Sequence, residues 1–549
     1  MNISSATQSL QFRLANIFTY ARQRQWQVGV GQFILLVTCA NILLYQQPLY
    51  SFAVNNMDVF SFNGVLIIIT LTAQVFFFTA LVLYLLFMLS RHLVKPVFML
   101  LALGNSIALY FVTTYQIMLD KSMMGNVSNT NFAEASDLFH PKLLLYILVL
   151  GVLPCWLMAK LKLSPTRRLR LSAQALVTFV LLAGWMYSAS SAWLWFDKNN
   201  SRLGGLVMPW SYVVNYARYQ TPLLLGPEKQ ELLPAATFVS NQKTVVVLVI
   251  GEAARARNFS LYGYERDTNP LLQNQGVAVL QNTTSCTTYT TASVRCILAH
   301  LDASSKFSKS YEPLPSYLQR HGIDVIWRTR NWGEPPIKVN AYQRSDELRK
   351  TCTSEDCEYD EVLLSGLAQQ IESSTQQKVF VVIHSSGSHG PSYYKKYPQR
   401  FEKYTPVCES VELNQCSEQE LINAYDNTIL YTDYFLSQVI DILKSVPNAE
   451  TAMLYVSDHG ESLGEHGLYL HGTPNAFAPD VQKEIPFIVW ASNKFEEDHS
   501  VSNADIESKP AYSQRNVFHS VMGAFAMRSS IYEPDLDIFN NSTTVASSQ

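Results

Sequence analysis

The chain has 549 residues, with 41 Lys and Arg against 44 Asp and Glu, a formal charge of -3 and only 15% charged residues, well below the ~25% of ordinary soluble domains. A near-neutral balance without a basic tract excludes the usual electrostatic basis for nucleic-acid binding, so no nucleic-acid partner is expected. The 48% of hydrophobic residues are concentrated in roughly the first 200 positions, which excludes a wholly soluble chain.

Five apolar runs come first, at about 28–46, 64–89, 94–117, 142–160 and 173–196. Each is long enough for the ~20-residue helix that crosses a bilayer. Arginines precede the first run, but it lacks a small-residue cleavage site and four more runs follow, so it reads as a retained span. Positive residues alternate: Arg13, Arg22 and Arg24 before the first span, Arg91 and Lys95 between the second and third, and Lys160, Lys162, Arg167, Arg168 and Arg170 between the fourth and fifth. Loop 47–63 has no Lys or Arg, and loop 118–141 has only Lys121. Positive-inside asymmetry then puts the N-terminus in the cytoplasm and everything after about residue 197 outside. The expected organisation is a five-helix membrane domain over 1–196, an interfacial amphipathic linker over 197–240, a hydrolase-like domain over 241–535 and a flexible tail over 536–549.

Cysteine usage agrees. Cys39 and Cys155 fall in spans, whereas Cys286, Cys296, Cys352, Cys357, Cys408 and Cys416 all fall in the outer region, where an oxidising compartment such as the bacterial periplasm preserves disulfides. Six cysteines allow fifteen pairings; joining neighbours (286–296, 352–357, 408–416) is the simplest.

In the outer region, apolar runs KTVVVLVIGE (243–252), DVIWR (324–328), KVFVVIH (378–384), TAMLYVSD (451–458) and IPFIVW (485–490) alternate with helical patterns such as 359–373 and 419–446. This alternation predicts an α/β domain with a parallel sheet covered on both faces. Ligands bind such sheets beyond the carboxyl ends of the strands. At those ends stand Glu252, then His384 with His389 just beyond, then Asp458 and His459 with His471 following. Singly, each is more simply a surface group or a satisfied histidine. Together they form a carboxylate–imidazole set suited to zinc or a similar divalent ion. The stretch SCTTYTTASVRC (285–296) reads as a turn into a helix. A threonine at that helix start sits where free N–H groups stabilise phosphate, and a metal at the strand ends would activate its otherwise weak hydroxyl.

These residues resemble the phosphoethanolamine transferases that modify lipid A, members of the alkaline phosphatase and sulfatase superfamily that include the transferable polymyxin-resistance enzymes. The resemblance rests on VLVIGEAARARNFSLYGYERDTNP (247–270), SCTTYTTASVRC (285–296), HSSGSHGPSYYKKYP (384–398), YDNTILYTDY (425–434) and SDHGESLGEHGLYLHGTPNAFAP (457–479). It implies Thr290 as nucleophile, zinc held by Glu252, Thr290, Asp458 and His459, and His389 and His471 for phosphate or a second metal. It also implies that Asn126, Thr130 and Glu134 hold the lipid headgroup. The chain departs from the family pattern at Ala253, at Arg295 and in RTRNWGEPPIK (328–338), where Lys338 takes the place of an acceptor-side lysine.

The expected reaction transfers phosphoethanolamine from phosphatidylethanolamine to a phosphate of lipid A through Thr290, in a monomeric inner-membrane enzyme. Two rivals stand beside it: a transferase of the same superfamily acting on a core sugar, a periplasmic glucan or a protein, and a non-enzymatic transporter or sensor. The last would need intramembrane charges to form an ion path, and the spans hold few.

Overall fold

The computed structural model describes residues 26–130, 135–136, 138–189, 192–224, 230–301 and 310–540. Arg13, Arg22, Arg24, Glu134 and the tail beyond 540 lie outside the described residues. The chain divides into two compact units, 1–124 with 139–220, and 125–138 with 221–549. The segment carrying Asn126 and Thr130 therefore belongs to the second unit.

The first unit is helical. Phe62–Leu89, Val94–Tyr115, Pro141–Lys160 and Arg168–Ser188 are each long and apolar enough to cross a membrane. Outward-facing Leu176, Val177, Val180 and Leu181 are exposed, an arrangement suited to lipid, where the helix satisfies its own backbone. The first expected span differs from a single rod: Val30–Tyr45 is followed by Gln47–Asn55 at a bend of 57°. Pro48, in the first turn of the second segment, cannot donate to the preceding turn and its ring crowds that turn's carbonyl. Gln46 at the corner is buried, and its amide donates to Asn41 Oδ1 at 2.9 Å. The last span ends at Ser188, earlier than the apolar run suggests, and Trp193–Leu206 and Trp210–Leu224 follow as separate helices. Some polar groups inside this unit pair across helices: Tyr212 Oη donates to Asn105 Oδ1 at 3.0 Å and reaches Leu101 O at 3.2 Å.

The second unit is built on a seven-stranded sheet: β1 (Thr244–Gly251), β2 (Ala278–Val279), β3 (Asp324–Thr329), β4 (Ala341–Arg344), β5 (Lys378–His384), β6 (Glu450–Ser457) and β7 (Phe487–Ala491), in the order β2-β7-β6-β1-β5-β3-β4. β6, β1, β5, β3 and β4 are parallel neighbours. The wholly parallel sheet expected from the alternation needs one correction, because β7 runs antiparallel to β6, and β2 antiparallel to β7. A parallel return needs a crossover, usually helical. The connection 458–486 contains only short 3₁₀ turns and two-residue strands, so the chain turns back at the edge where β6 ended.

β1 is buried along its whole length, as its unbroken apolar run requires of a central parallel strand. Val246, Leu248 and Ile250 pack into one core layer with Phe380, Leu454 and Val456. Val245, Val247 and Val249 pack into the other with Tyr425, Ile429 and Leu436 of the helix Glu418–Ser445, which starts on a Ser417/Glu420 capping box.

Two of the three expected disulfides are formed, Cys352–Cys357 and Cys408–Cys416. The third, Cys286–Cys296, is not. Cys286 is anchored through its backbone instead, its N–H donating to Gln514 Oε1 at 2.9 Å and its carbonyl accepting from Asn475 Nδ2 at 2.6 Å, while Cys296 is buried in the helix Thr290–Ile297.

Candidate active site and metal centre

Register assembles the site. Gly251 at the end of β1 pairs with Ser457 at the end of β6, so the next residues, Glu252 and Asp458, emerge side by side from the carboxyl edge. Asp458 N–H donates to Gly251 O at 3.0 Å. Ala253 adopts a left-handed backbone, φ +54°, which costs an L-residue about 1–2 kcal/mol. That turn lets its N–H donate to Asp458 Oδ1 at 3.1 Å, while Tyr425 Oη donates to its carbonyl at 2.7 Å. Beyond β5 the HSSGSHG loop folds over the Glu252 backbone, with Ser388 N–H donating to Glu252 O at 2.9 Å. Gly387 sits at φ +47°, where a Cβ would lie 2.7 Å from that same carbonyl, so only glycine fits.

Thr290 opens the helix Thr290–Ile297 and is 4% exposed. Its Oγ1 donates to Glu252 Oε2 at 3.3 Å and lies 3.4 Å from His459 Nε2. His459 Nε2 in turn lies 3.3 Å from Glu252 Oε1 and 3.2 Å from Asp458 Oδ2. The other ring nitrogen, Nδ1, lies 2.9 Å from Gly460 O, the kind of backbone partner that orients a ligating histidine. Glu252 Oε1 and Asp458 Oδ2 are buried without any hydrogen bond, a costly state unless something satisfies them. Two unfilled carboxylate oxygens and a hydroxyl gathered around one imidazole nitrogen fit a divalent cation such as zinc.

His471 adjoins this set. Its ring lies 4.2 Å from that of His459, and one ligand atom each from Glu252, His459 and His471 fall within 4.8 Å of one another. Its Nδ1 is 3.3 Å from both oxygens of buried Glu461. His389 stands beside it at 5.4 Å between rings. Thus Thr290, Glu252, Asp458, His459, His471 and His389 come together.

The electrostatics of the site suit a cation. Burial and then the Glu252 charge push the Asp458 carboxyl well above its usual range. Burial opposes ionisation of Glu252 too, but the His459 contact outweighs it and holds Glu252 well below its usual range, with His459 raised in return. Burial drives His389 down to about 3, against the pull of Glu252, so it stays a neutral base.

The remaining predicted residues lie elsewhere. Lys338 is exposed; its N–H donates to Ser316 Oγ at 2.8 Å, and it lines an open cleft of about 710 Å³ with Glu334, Ile337 and Tyr342. Asn126 and Thr130 lie one helical turn apart, with both the N–H and Oγ1 of Thr130 bonded to Asn126 O at 2.8 Å. Asn126 Oδ1 is buried and unfilled. Sequence reasoning does not reach Asn331, whose Nδ2 donates to Glu252 Oε2 at 2.7 Å and to Ser385 O at 3.0 Å, nor Glu461 beneath His471. The one available signal was that Asn331 lies in the divergent loop just past a strand end.

Residues 244–527 match the Sulfatase family model, and residues 75–222 match the model described as phosphoethanolamine transferase EptA/EptB. Phosphoethanolamine transferase EptA of Helicobacter pylori is 39% identical over 511 residues, covering 91% of this chain and 94% of its own. Phosphatidylethanolamine transferase Mcr-1 of Escherichia coli is 36% identical over 433 residues, 74% of this chain and 79% of its own. The structure of the integral membrane lipooligosaccharide phosphoethanolamine transferase A from Neisseria meningitidis matches with a TM-score of 0.86 at 26% identity, over 93% of this chain and 98% of that one.

Proposed function

This chain belongs to the phosphoethanolamine transferase family, within the sulfatase superfamily, and we propose that it moves phosphoethanolamine from phosphatidylethanolamine to a phosphate of lipid A, with Thr290 as the carrier. Thr290 Oγ1 attacks the phosphorus of the donor, forming the Oγ–P bond as the bond to diacylglycerol breaks. A phosphate oxygen of the acceptor then attacks the same phosphorus and frees the threonine. Glu252, Thr290, Asp458 and His459 are the residues that would hold zinc. Zinc so held supplies a Lewis acid that lowers a hydroxyl's pKa and neutralises charge growing on phosphoryl oxygens.

The chain's own residues do the rest. Glu252 and His459 aim the Thr290 hydroxyl, and the start of its helix presents N–H groups to phosphate. Neutral His389 with His471 flanks the leaving and entering oxygens. Asn126, Thr130 and Glu134 hold the donor headgroup, with the N-terminus cytoplasmic and the sheet domain periplasmic. An added amine offsets lipid A's negative charge and weakens its attraction for polymyxin and other cationic peptides.

The observation that carries this reading is the Thr290 hydroxyl placed 3.3 Å from Glu252 and 3.4 Å from His459, beside two unfilled carboxylate oxygens. Intact-mass analysis of the protein mixed with phosphatidylethanolamine should show a phosphoethanolamine adduct on Thr290. Lipid A from cells with the protein should be heavier by the same group than lipid A from cells without it. The divergent loop 328–338 favours testing other acceptors alongside: adduct formation with unmodified lipid A would point to a core sugar, glucan or protein.

A further inference from the structure

Resting on that reading, we infer that Glu334 is the residue that binds the ammonium of phosphoethanolamine carried on Thr290, from the divergent loop that packs against the nucleophile's helix. Beside the metal set, a group of buried polar atoms has no hydrogen-bond partner: Thr291 Oγ1, Glu334 Oε2, both ring nitrogens of His384, and Trp327 Nε1. Contacts link them in pairs, Thr291 with the loop that carries Glu334 and His384 with Trp327. Thr291 follows the nucleophile directly. Gly333, at φ +107°, lies against it so closely that a Cβ there would be 3.2 Å from Thr291 Cα and 3.5 Å from its Oγ1. Glu334 is the next residue. His384 is fully buried, lies 6.3 Å from the Trp327 ring, and feels the Glu334 charge ahead of those of Glu252 and Asp360.

The loop is built to hold this carboxylate in place. Asn331 ties its start to Glu252 and Ser385. Pro335 and Pro336 restrict the backbone after it. Tyr342 Oη donates to Glu334 Oε1 at 2.5 Å, which fixes one oxygen and leaves the other inside. Among the described residues Glu334 has no cationic partner. A carboxylate oxygen kept from water and from any donor is expensive, and an ammonium removes that cost.

The ligand's chemistry fits what is unfilled. An ammonium has three N–H donors and no acceptor. Glu334 Oε2, a nitrogen of neutral His384 and Thr291 Oγ1 are three acceptors without donors. Phosphoethanolamine on Thr290 carries its ammonium on a two-carbon arm, a length that keeps it beside the helix start and the loop packed on Thr291. An uncharged or anionic headgroup would leave Glu334 unpaired, so the site selects for the amine. Glu134 acts, in the proposed function, on the intact lipid; Glu334 acts on the group once it has reached the threonine.

The test is calorimetric titration of the full-length, zinc-supplemented protein in detergent with two soluble probes, phosphoethanolamine and ethyl phosphate, which differ by the ammonium. Wild type should prefer phosphoethanolamine, and Glu334→Gln should cut that preference by about ten- to a hundred-fold, with Glu334→Asp restoring part of it. Glutamine still accepts the Tyr342 bond, so folding is preserved. A wild type without preference, a preference that survives Glu334→Gln, or equal loss of both probes each overturns the inference. The Thr290 adduct is read separately by mass: an adduct with no Glu334 effect leaves the reaction standing and removes the ammonium site, and the reverse result keeps the site and removes the reaction.

Discussion

The two edges of one sheet treat buried charge in opposite ways. At the amino-terminal edge, Glu450 at the start of β6 accepts from Thr244 Oγ1 at 2.9 Å and lies 3.7 Å from His499 Nε2. Lys378 at the start of β5 sits over the rings of Phe238 and Phe525, at 5.5 and 6.0 Å. The carboxylate there has a hydroxyl donor, and the ammonium rests on two aromatic faces without a hydrogen bond of its own. At the carboxyl edge, Glu252 Oε1, Asp458 Oδ2 and Glu334 Oε2 are buried with no hydrogen bond. The strands are the same and their cores are continuous, so packing does not explain the difference. Among the strand-end residues compared, the unfilled carboxylate oxygens stand at the carboxyl edge, and they suit cations. Zinc would meet them at Glu252 and Asp458, and an ammonium at Glu334.

The largest effect expected is at the nucleophile. Thr290→Ala should reduce transfer about a thousand-fold or more while leaving the protein folded and inserted, measured as lipid A modification in cells and adduct mass in vitro. Normal modification by this variant would remove Thr290 from the mechanism. Next come the ligands. Glu252→Gln, Asp458→Asn and His459→Ala should each lower bound zinc and activity together, read by metal analysis and turnover on the same sample. At the other edge Glu450→Gln should change neither. If Asp458→Asn retains wild-type zinc, the unfilled oxygens are not a metal site and the contrast between the edges loses its meaning.

Much of this contrast was legible in the sequence, for a physical reason. A central parallel strand must be apolar throughout, so the first polar residue after it marks the sheet's edge: Glu252 after TVVVLVIG and Asp458 after the run ending in Ser457 announced themselves. Thr290 was legible because a hydroxyl-rich turn met a helix pattern. Asn331, Glu461 and Glu334 were not, because their partners are set by how loops approach one another, not by any local period. The antiparallel β7 was hidden for a related reason, since its apolar run is the same whichever way the strand points. The Cys286–Cys296 bridge failed for another: proximity in sequence ignores the anchoring of Cys286 by Gln514 and Asn475.

Smaller effects should come from residues that hold substrate or aim a ligand. Glu134→Ala should slow transfer from phosphatidylethanolamine by about 5- to 150-fold, the loss of one headgroup contact worth ~1–3 kcal/mol. The same variant should leave cleavage of a soluble phosphodiester nearly unchanged. Full-length kinetics on the lipid equal to wild type would make the loop a connector only. Asn331→Leu, which removes the donor to Glu252 Oε2, should cost about ten-fold in zinc affinity, the usual scale for a group that orients a ligand, and competition with a chelator would show it.

The smallest effect lies at the amino-terminal edge and concerns pH. His499 ends the helix Asn493–His499 with its ring stacked on Phe495 at 4.0 Å between centroids. Burial, with some help from Lys378 and against the pull of Asp498, lowers its pKa from 6.5 to about 4. The folded state thus binds its proton less readily than the unfolded state. The stability this represents is fully present above pH 6.5 and is lost as pH falls from 6.5 through about 4. The side chain keeps 15% exposure, so the loss is discounted for solvent screening to about 1–2 kcal/mol. His499→Phe keeps an aromatic ring against Phe495 and cannot take up the proton. Its melting temperature should therefore fall less steeply than that of wild type between about pH 6.5 and 4.5, with zinc content and transfer unaltered because the catalytic edge is at the other end of the strands. Parallel melting curves for the two proteins across that range would show that His499 is protonated equally in both states and is not held neutral by burial.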